Sequence, residues 1–239
     1  VRQARPGQAN GPYGSQIVHH ANVRGRPYAS GMFLDHAKGF KDPKLIEERF
    51  AMLSSVASAQ PLMAYKEALT QRQSRKHPNV FVPDFDPAEA GICARVLFVF
   101  EAPGPKTKPS EGGSGFISVD NNDPSAATIW QLRKDADIRE YEATHWNTVG
   151  WYMGDPTVKP NAQQRAEGIR ELRDLTVLLH RLDVIVAGGR IAQDAFTTAA
   201  KRNGWPKWSF QTSSGKELPV IPVPHPAGQA MAQKGLRKE

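Results

Sequence analysis

Four short apolar runs constrain this chain more than anything else in it. They are Arg95-Val96-Leu97-Phe98-Val99-Phe100, Trp146-Asn147-Thr148-Val149, Val184-Ile185-Val186-Ala187 and Val220-Ile221-Pro222-Val223. Each is continuous and mostly β-branched or aromatic, the pattern of a strand buried in a parallel sheet. Helical periodicity fills the gaps between them. One helix is expected over about 126–137 and another over about 191–202. The clearest spans about 162–182, where Ile169, Leu172, Leu175, Leu179 and Leu182 recur at steps of three or four. Strand–helix alternation of this kind predicts an α/β fold with a parallel sheet.

In such sheets ligands bind beyond the carboxyl ends of the strands. That rule selects four loops, 101–104, 147–154, 188–190 and 224–228, each a polar or Gly/Pro cluster directly after a strand. They are expected to converge on one pocket. Upstream, residues 1–40 are rich in Gly, Pro, Asn, Arg and His and lack periodicity, so an extended basic arm is expected there. Asp42-Pro43 reads as a helix cap followed by proline at the first helical position. Two helices are expected over about 43–75, and 77–92 is too rich in proline to be helical. Residues 41–92 would form a helical extension of a single domain covering 41–239.

The chain has 239 residues and one cysteine, Cys93. One thiol forms no internal disulfide and no cysteine-based zinc or iron–sulfur site, which fits a reducing, cytosolic compartment. The remaining histidines (His19, His20, His36, His77, His145 and His180) show no pair at metal-ligand spacing, so no metal and no cofactor are expected. No window approaches the roughly 18 apolar residues of a membrane helix, and no membrane partner is expected. Val1-Arg2-Gln3-Ala4-Arg5 leads into no apolar stretch, so no secretory signal is expected. The net charge is +7. Residues 1–50 carry eight Lys/Arg against four Asp/Glu, residues 190–239 eight against three, and the middle is near neutral. A basic balance of this kind suits an anionic partner.

Individual residues at the strand ends can carry chemistry. Glu101, in Phe100-Glu101-Ala102-Pro103-Gly104, can orient a water or act as a base, or it is a plain exposed strand exit. Phe116, in Gly112-Gly113-Ser114-Gly115-Phe116, can stack on a planar base or anchor its loop on the core. Asn147 places an amide inside an apolar strand, offering a donor and an acceptor to a pyrimidine edge or bonding to nearby backbone. His225 can stabilise a developing anion, or it is a structural His-Pro turn. Gly189-Arg190 opens a helix whose free N–H groups can take a phosphate.

Taken in order, Glu-Ala-Pro-Gly, a Gly-x-Phe loop, an Asn in an apolar strand, Gly-x-x-Ala opening a helix, and His-Pro-Ala resemble the uracil-DNA glycosylase superfamily. The chain looks closest to the bacterial family whose first motif is Gly-Glu-Ala-Pro-Gly. The resemblance covers about residues 94–230. It implies a three-layer α/β/α sandwich with a central four-stranded parallel sheet. It implies a DNA-repair enzyme that flips uracil, or a related deaminated base, out of DNA and hydrolyses its N-glycosidic bond. By position, Glu101, Asn147 and His225 would be the catalytic residues. Phe116, Asn147 and Ala102 would contact the base, with Asn147 choosing uracil over cytosine. Pro103, Gly104, Gly189, Arg190, Ala227 and Gly228 would contact DNA. A monomer in the cytoplasm, associated with the nucleoid, is implied.

The sequence departs from that family at four points. Phe100 stands where the motif's first Gly is usual, and the four cluster cysteines are absent. Ala102 stands where the most active branch carries Asp. Gly150-Trp151-Tyr152-Met153-Gly154 replaces a Lys-Cys-Arg-Pro-Pro run. A non-catalytic or weakly active DNA-binding protein on the same fold is therefore the alternative. A nucleotide hydrolase is a third reading, but neither a P-loop nor Gly-x-Ser-x-Gly occurs.

Overall fold

Parallel strands buried on both faces need every backbone group paired by neighbours, and the four apolar runs supply that pairing. The computed structural model describes residues 34–155 and 157–227, all within one unit of the chain. The strands and longer helices, in order, are α1 (Pro43–Leu53), α2 (Gln60–Ser74), β1 (Asp84–Phe85), β2 (Val96–Phe100), β3 (Phe116–Ile117), α3 (Pro124–Asp135), β4 (Ala143–Asn147), α4 (Ala162–Leu178), β5 (Val184–Gly188), α5 (Arg190–Asn203), β6 (Ser209–Gln211) and β7 (Glu217–Val223). No described helix is long and apolar enough to cross a membrane.

The fold is mixed α/β, with a five-stranded sheet ordered β4-β2-β5-β7-β6. The first four strands of that order are parallel and correspond to the four apolar runs. The second run begins earlier than its hydrophobicity suggests, at Ala143, because Thr144 and His145 pair with Leu97 and Phe98. A fifth strand, β6, extends the expected four-stranded sheet by pairing antiparallel with β7. β1 and β3 form a separate two-stranded parallel sheet inside segments expected to be loops.

Local capping explains where the helices begin. Asp42 and Asp123 accept from the backbone N–H of Lys44 and Ala126, at 3.0 and 2.9 Å, each followed by a proline that needs no N–H partner. Asn161 and Gln164 cap α4 reciprocally, both at 2.9 Å. The two faces of the sheet differ in chemistry. Leu97, Val99, Trp146, Ile185 and Ala187 join the main core with Leu172 of α4 and Phe196 of α5. The alternate residues Phe98, Phe100, His145 and Asn147 leave the opposite face of β2 and β4. A smaller cluster holds Phe40, Leu53 and Phe116. Phe40 thus belongs to the folded body, although it falls within the expected arm. Residues 1–33 of that arm lie outside the described residues.

Candidate active site

A parallel sheet brings the carboxyl ends of its strands to one edge. Phe100 and Asn147 are register partners, as are Gly188 and Val223. Backbone bonds continue past the strands. Thr148 N–H donates to the Phe100 carbonyl at 2.7 Å, Val149 N–H to Glu101 at 3.0 Å, and Gly189 N–H to Val223 at 2.9 Å. These bonds tie the exit of β4 to that of β2, and the exit of β5 to that of β7, at a cavity of about 390 Å³. Glu101, Ala102, Pro103, Gly104, Asn147 and His225 all line it.

Asn147 is 5% exposed, and among the described residues its carboxamide has no hydrogen-bonding partner. Both its donor and its acceptor are available to a ligand. The alternative of an amide spent on neighbouring backbone does not hold. Glu101 pairs with Lys159 at 3.1 Å, and the lysine is largely exposed, so the pair sits at the rim.

His225 is half-buried, and burial holds its imidazole below the ordinary value. Glu101 opposes that shift, while Lys159 adds to it. The backbone N–H of Ala227 donates to Nδ1 at 3.0 Å. Nδ1 is therefore an acceptor, and the neutral ring carries its hydrogen on Nε2. The site holds a neutral donor rather than an acid.

Phe116 requires a correction. It is 0% exposed and packs at 4.4 Å from the ring of Phe50 and 6.0 Å from that of Phe40. It does not line the cavity, so it anchors its loop and offers no stacking platform. Phe100 is the aromatic ring that does line it. Its edge meets the His225 ring, with centroids 6.3 Å apart. Gly189 has φ +84°, and a Cβ there would lie 2.8 Å from Cδ2 of His225. Arg190 is exposed at the first position of α5, outside the cavity lining. Gly228 lies outside the described residues.

Sequence reasoning also missed His145, which lines the cavity two residues before Asn147. The signal was present: His145 and Asn147 alternate with Thr144 and Trp146, putting two polar residues on one strand face. Ser118 and Asn121 also line the cavity and belong to a loop held by buried ions. Arg49 donates to Asp86 at 2.6 Å and to Asp120 at 2.8 Å, and Ser118 Oγ donates to Asp86 at 2.5 Å. Among the described residues, no group of three His, Cys, Asp or Glu is placed to hold a metal ion. No protein-family model matches the chain, and no curated protein matches it.

Proposed function

We propose that this protein is a DNA glycosylase that extrudes a deaminated base and hydrolyses its N-glycosidic bond, on a three-layer α/β/α sandwich. The observation that carries the reading is the meeting of Glu101, Asn147 and His225 in one cavity at the carboxyl edge of the sheet. These residues are 124 positions apart in sequence at their extremes, and only the parallel topology joins them.

The chemistry follows from their states. A base inside a duplex is unreachable, so the nucleotide must flip out, at a cost of a few kcal/mol. The glycosidic bond then breaks heterolytically, and the base departs with the bonding pair. The Nε2–H of His225 is the donor for that anion, and as a neutral group it adds no charge before the bond breaks. Glu101 orients a water, and its negative charge stabilises the cationic sugar. The water's oxygen bonds to C1′, and one of its protons ends on the released base. Asn147 reads the base edge. Phe100 takes the stacking role expected of Phe116, and Pro103 and Gly104 at the cavity wall, with Gly189, Arg190 and Ala227 beyond it, are the proposed contacts to the DNA backbone.

Oligonucleotides carrying uracil, hypoxanthine or xanthine, incubated with the protein and treated with alkali, test the reading. Strand breaks at the modified base support it, and His225→Ala is expected to slow excision by about a hundredfold. A second reading, DNA binding without catalysis, is favoured by Ala102 and by the Lys159 contact that occupies Glu101. It predicts retention on a gel with no abasic sites at high protein concentration.

A further inference from the structure

A second cavity, of about 270 Å³, runs between α4 and α5, and the proposed reaction leaves it unused. Its deeper lining is apolar: Ala166, Ile169, Ala195 and Ala199. Four arginines complete its walls, Arg165, Arg170 and Arg173 from α4 and Arg202 from α5. Among the described residues, no Asp or Glu and no aromatic ring lines it. The carboxylates of α4 are engaged elsewhere. Glu167 bonds to Lys76 and Gln73, Glu171 to Arg72, and Asp174 accepts from Ser213 Oγ at 2.5 Å. On α5, Asp194 is exposed one turn before Thr198. Two of the guanidiniums are held by carbonyls. Arg165 Nη1 donates to Pro160 at 2.5 Å, and Arg173 Nε donates to Gln211 at 2.9 Å while its guanidinium lies over the Trp205 ring at 5.4 Å. A carbonyl cancels no charge, and a guanidinium has five N–H donors, so both retain charge and donors for a ligand. Arg170 and Arg202 are exposed, and among the described residues neither makes a hydrogen bond or an ion pair.

Resting on the glycosylase reading, we propose that this groove is a second DNA contact, which holds the phosphodiester backbone of the strand flanking the extruded base. Like charges gathered without a counter-charge repel one another, and an anion relieves them. Arg165 and Arg173 are eight residues apart, about 12 Å along α4, so the cations span successive phosphates rather than one. With no ring in the lining there is no platform for a base, so the groove takes backbone and reads no sequence. The groove is also continuous with the catalytic edge. Lys159 lines the first cavity and Ala162 the second, and the Pro160 carbonyl between them is the one that Arg165 holds. A strand leaving the first cavity past Lys159 meets Arg165 next, and then the other three guanidiniums.

The test is fluorescence anisotropy of undamaged single-stranded oligonucleotides of about 5 and about 16 nucleotides across a salt series, which needs no catalysis. Arg170→Ala/Arg202→Ala removes two exposed cations from the groove, and Arg75→Ala/Arg181→Ala removes two exposed cations outside it. Each single-strand phosphate contact contributes about 0.7 to the salt slope, so the groove pair is expected to make the slope for the long strand shallower by about 1.4. It weakens the long strand at least about tenfold at low salt and leaves the short one, which covers the first cavity alone, unchanged. The outer pair changes neither. Equal losses from the two pairs mean unspecific charge and overturn the inference, as does wild-type affinity in the groove variant. Tripolyphosphate that binds wild type but not the groove variant, while the long strand binds both alike, marks a small-anion site and overturns it too. Excision of a deaminated base by a protein whose groove variant binds DNA as wild type does leaves the glycosylase reading standing alone. Groove-dependent binding without abasic sites at uracil, hypoxanthine or xanthine overturns the glycosylase reading and leaves the DNA contact standing.

Discussion

Two carboxylate clusters lie buried behind the cavity walls, and they are balanced differently. At Glu89, one carboxylate meets one guanidinium, that of Arg133, so the charges cancel before the His145 ring is counted. At Arg49, one guanidinium meets two carboxylates, Asp86 and Asp120, leaving a negative charge in excess. Burial, reinforced by Asp86 and opposed by Arg49, pushes the Asp120 carboxyl up to about 7. Asp120 Oδ1 also lacks a partner. The same residue types thus give two outcomes. The balanced cluster fixes the orientation of a ring at the cavity. The unbalanced one takes up a proton beneath the loop that carries Ser118 and Asn121.

The largest effect is expected for Arg49→Met, which strands two buried carboxylates and costs about 4 kcal/mol of folding free energy in denaturant titrations. Glu89→Gln comes next, at about 3 kcal/mol, because a buried guanidinium loses its counter-charge while one amide oxygen still accepts. If Glu89→Gln proves the more damaging of the two, the charge-balance comparison breaks.

Asp120→Asn sharpens the comparison through pH. Folded Asp120 holds its proton up to about 7, against an ordinary value of 3.8. Its contribution to stability is therefore full below about pH 4 and is lost as pH rises through 7. Asparagine does not titrate, so the variant lacks this decline. Relative to wild type it gains about 4 kcal/mol between pH 4 and 8, read from urea melts across that range. The smallest effect is expected for Lys159→Ala. It breaks a rim ion pair and changes stability by less than about 1 kcal/mol. A larger loss would erase the distinction between the buried clusters and the rim.

Much of the fold was legible because buried parallel strands write themselves as continuous apolar runs. The rule that ligands bind at strand carboxyl ends then located Glu101, Asn147 and His225 without coordinates. Phe116 was misread because a Gly-rich loop says nothing of what lies beneath it. Its burial depends on Phe40 and Phe50, contributed by segments more than 60 positions upstream. The β6–β7 pairing was missed because β6 is three residues long, too short to show alternation. The ion cluster at Arg49 was invisible for a related reason: Asp86 and Asp120 sit in loops, where a carboxylate is ordinarily solvated.

Gly189 touches the His225 ring closely enough that only a hydrogen atom fits between them. A side chain at position 189 would push the imidazole aside, so the placement of His225 in the cavity depends on a missing side chain in the neighbouring strand exit.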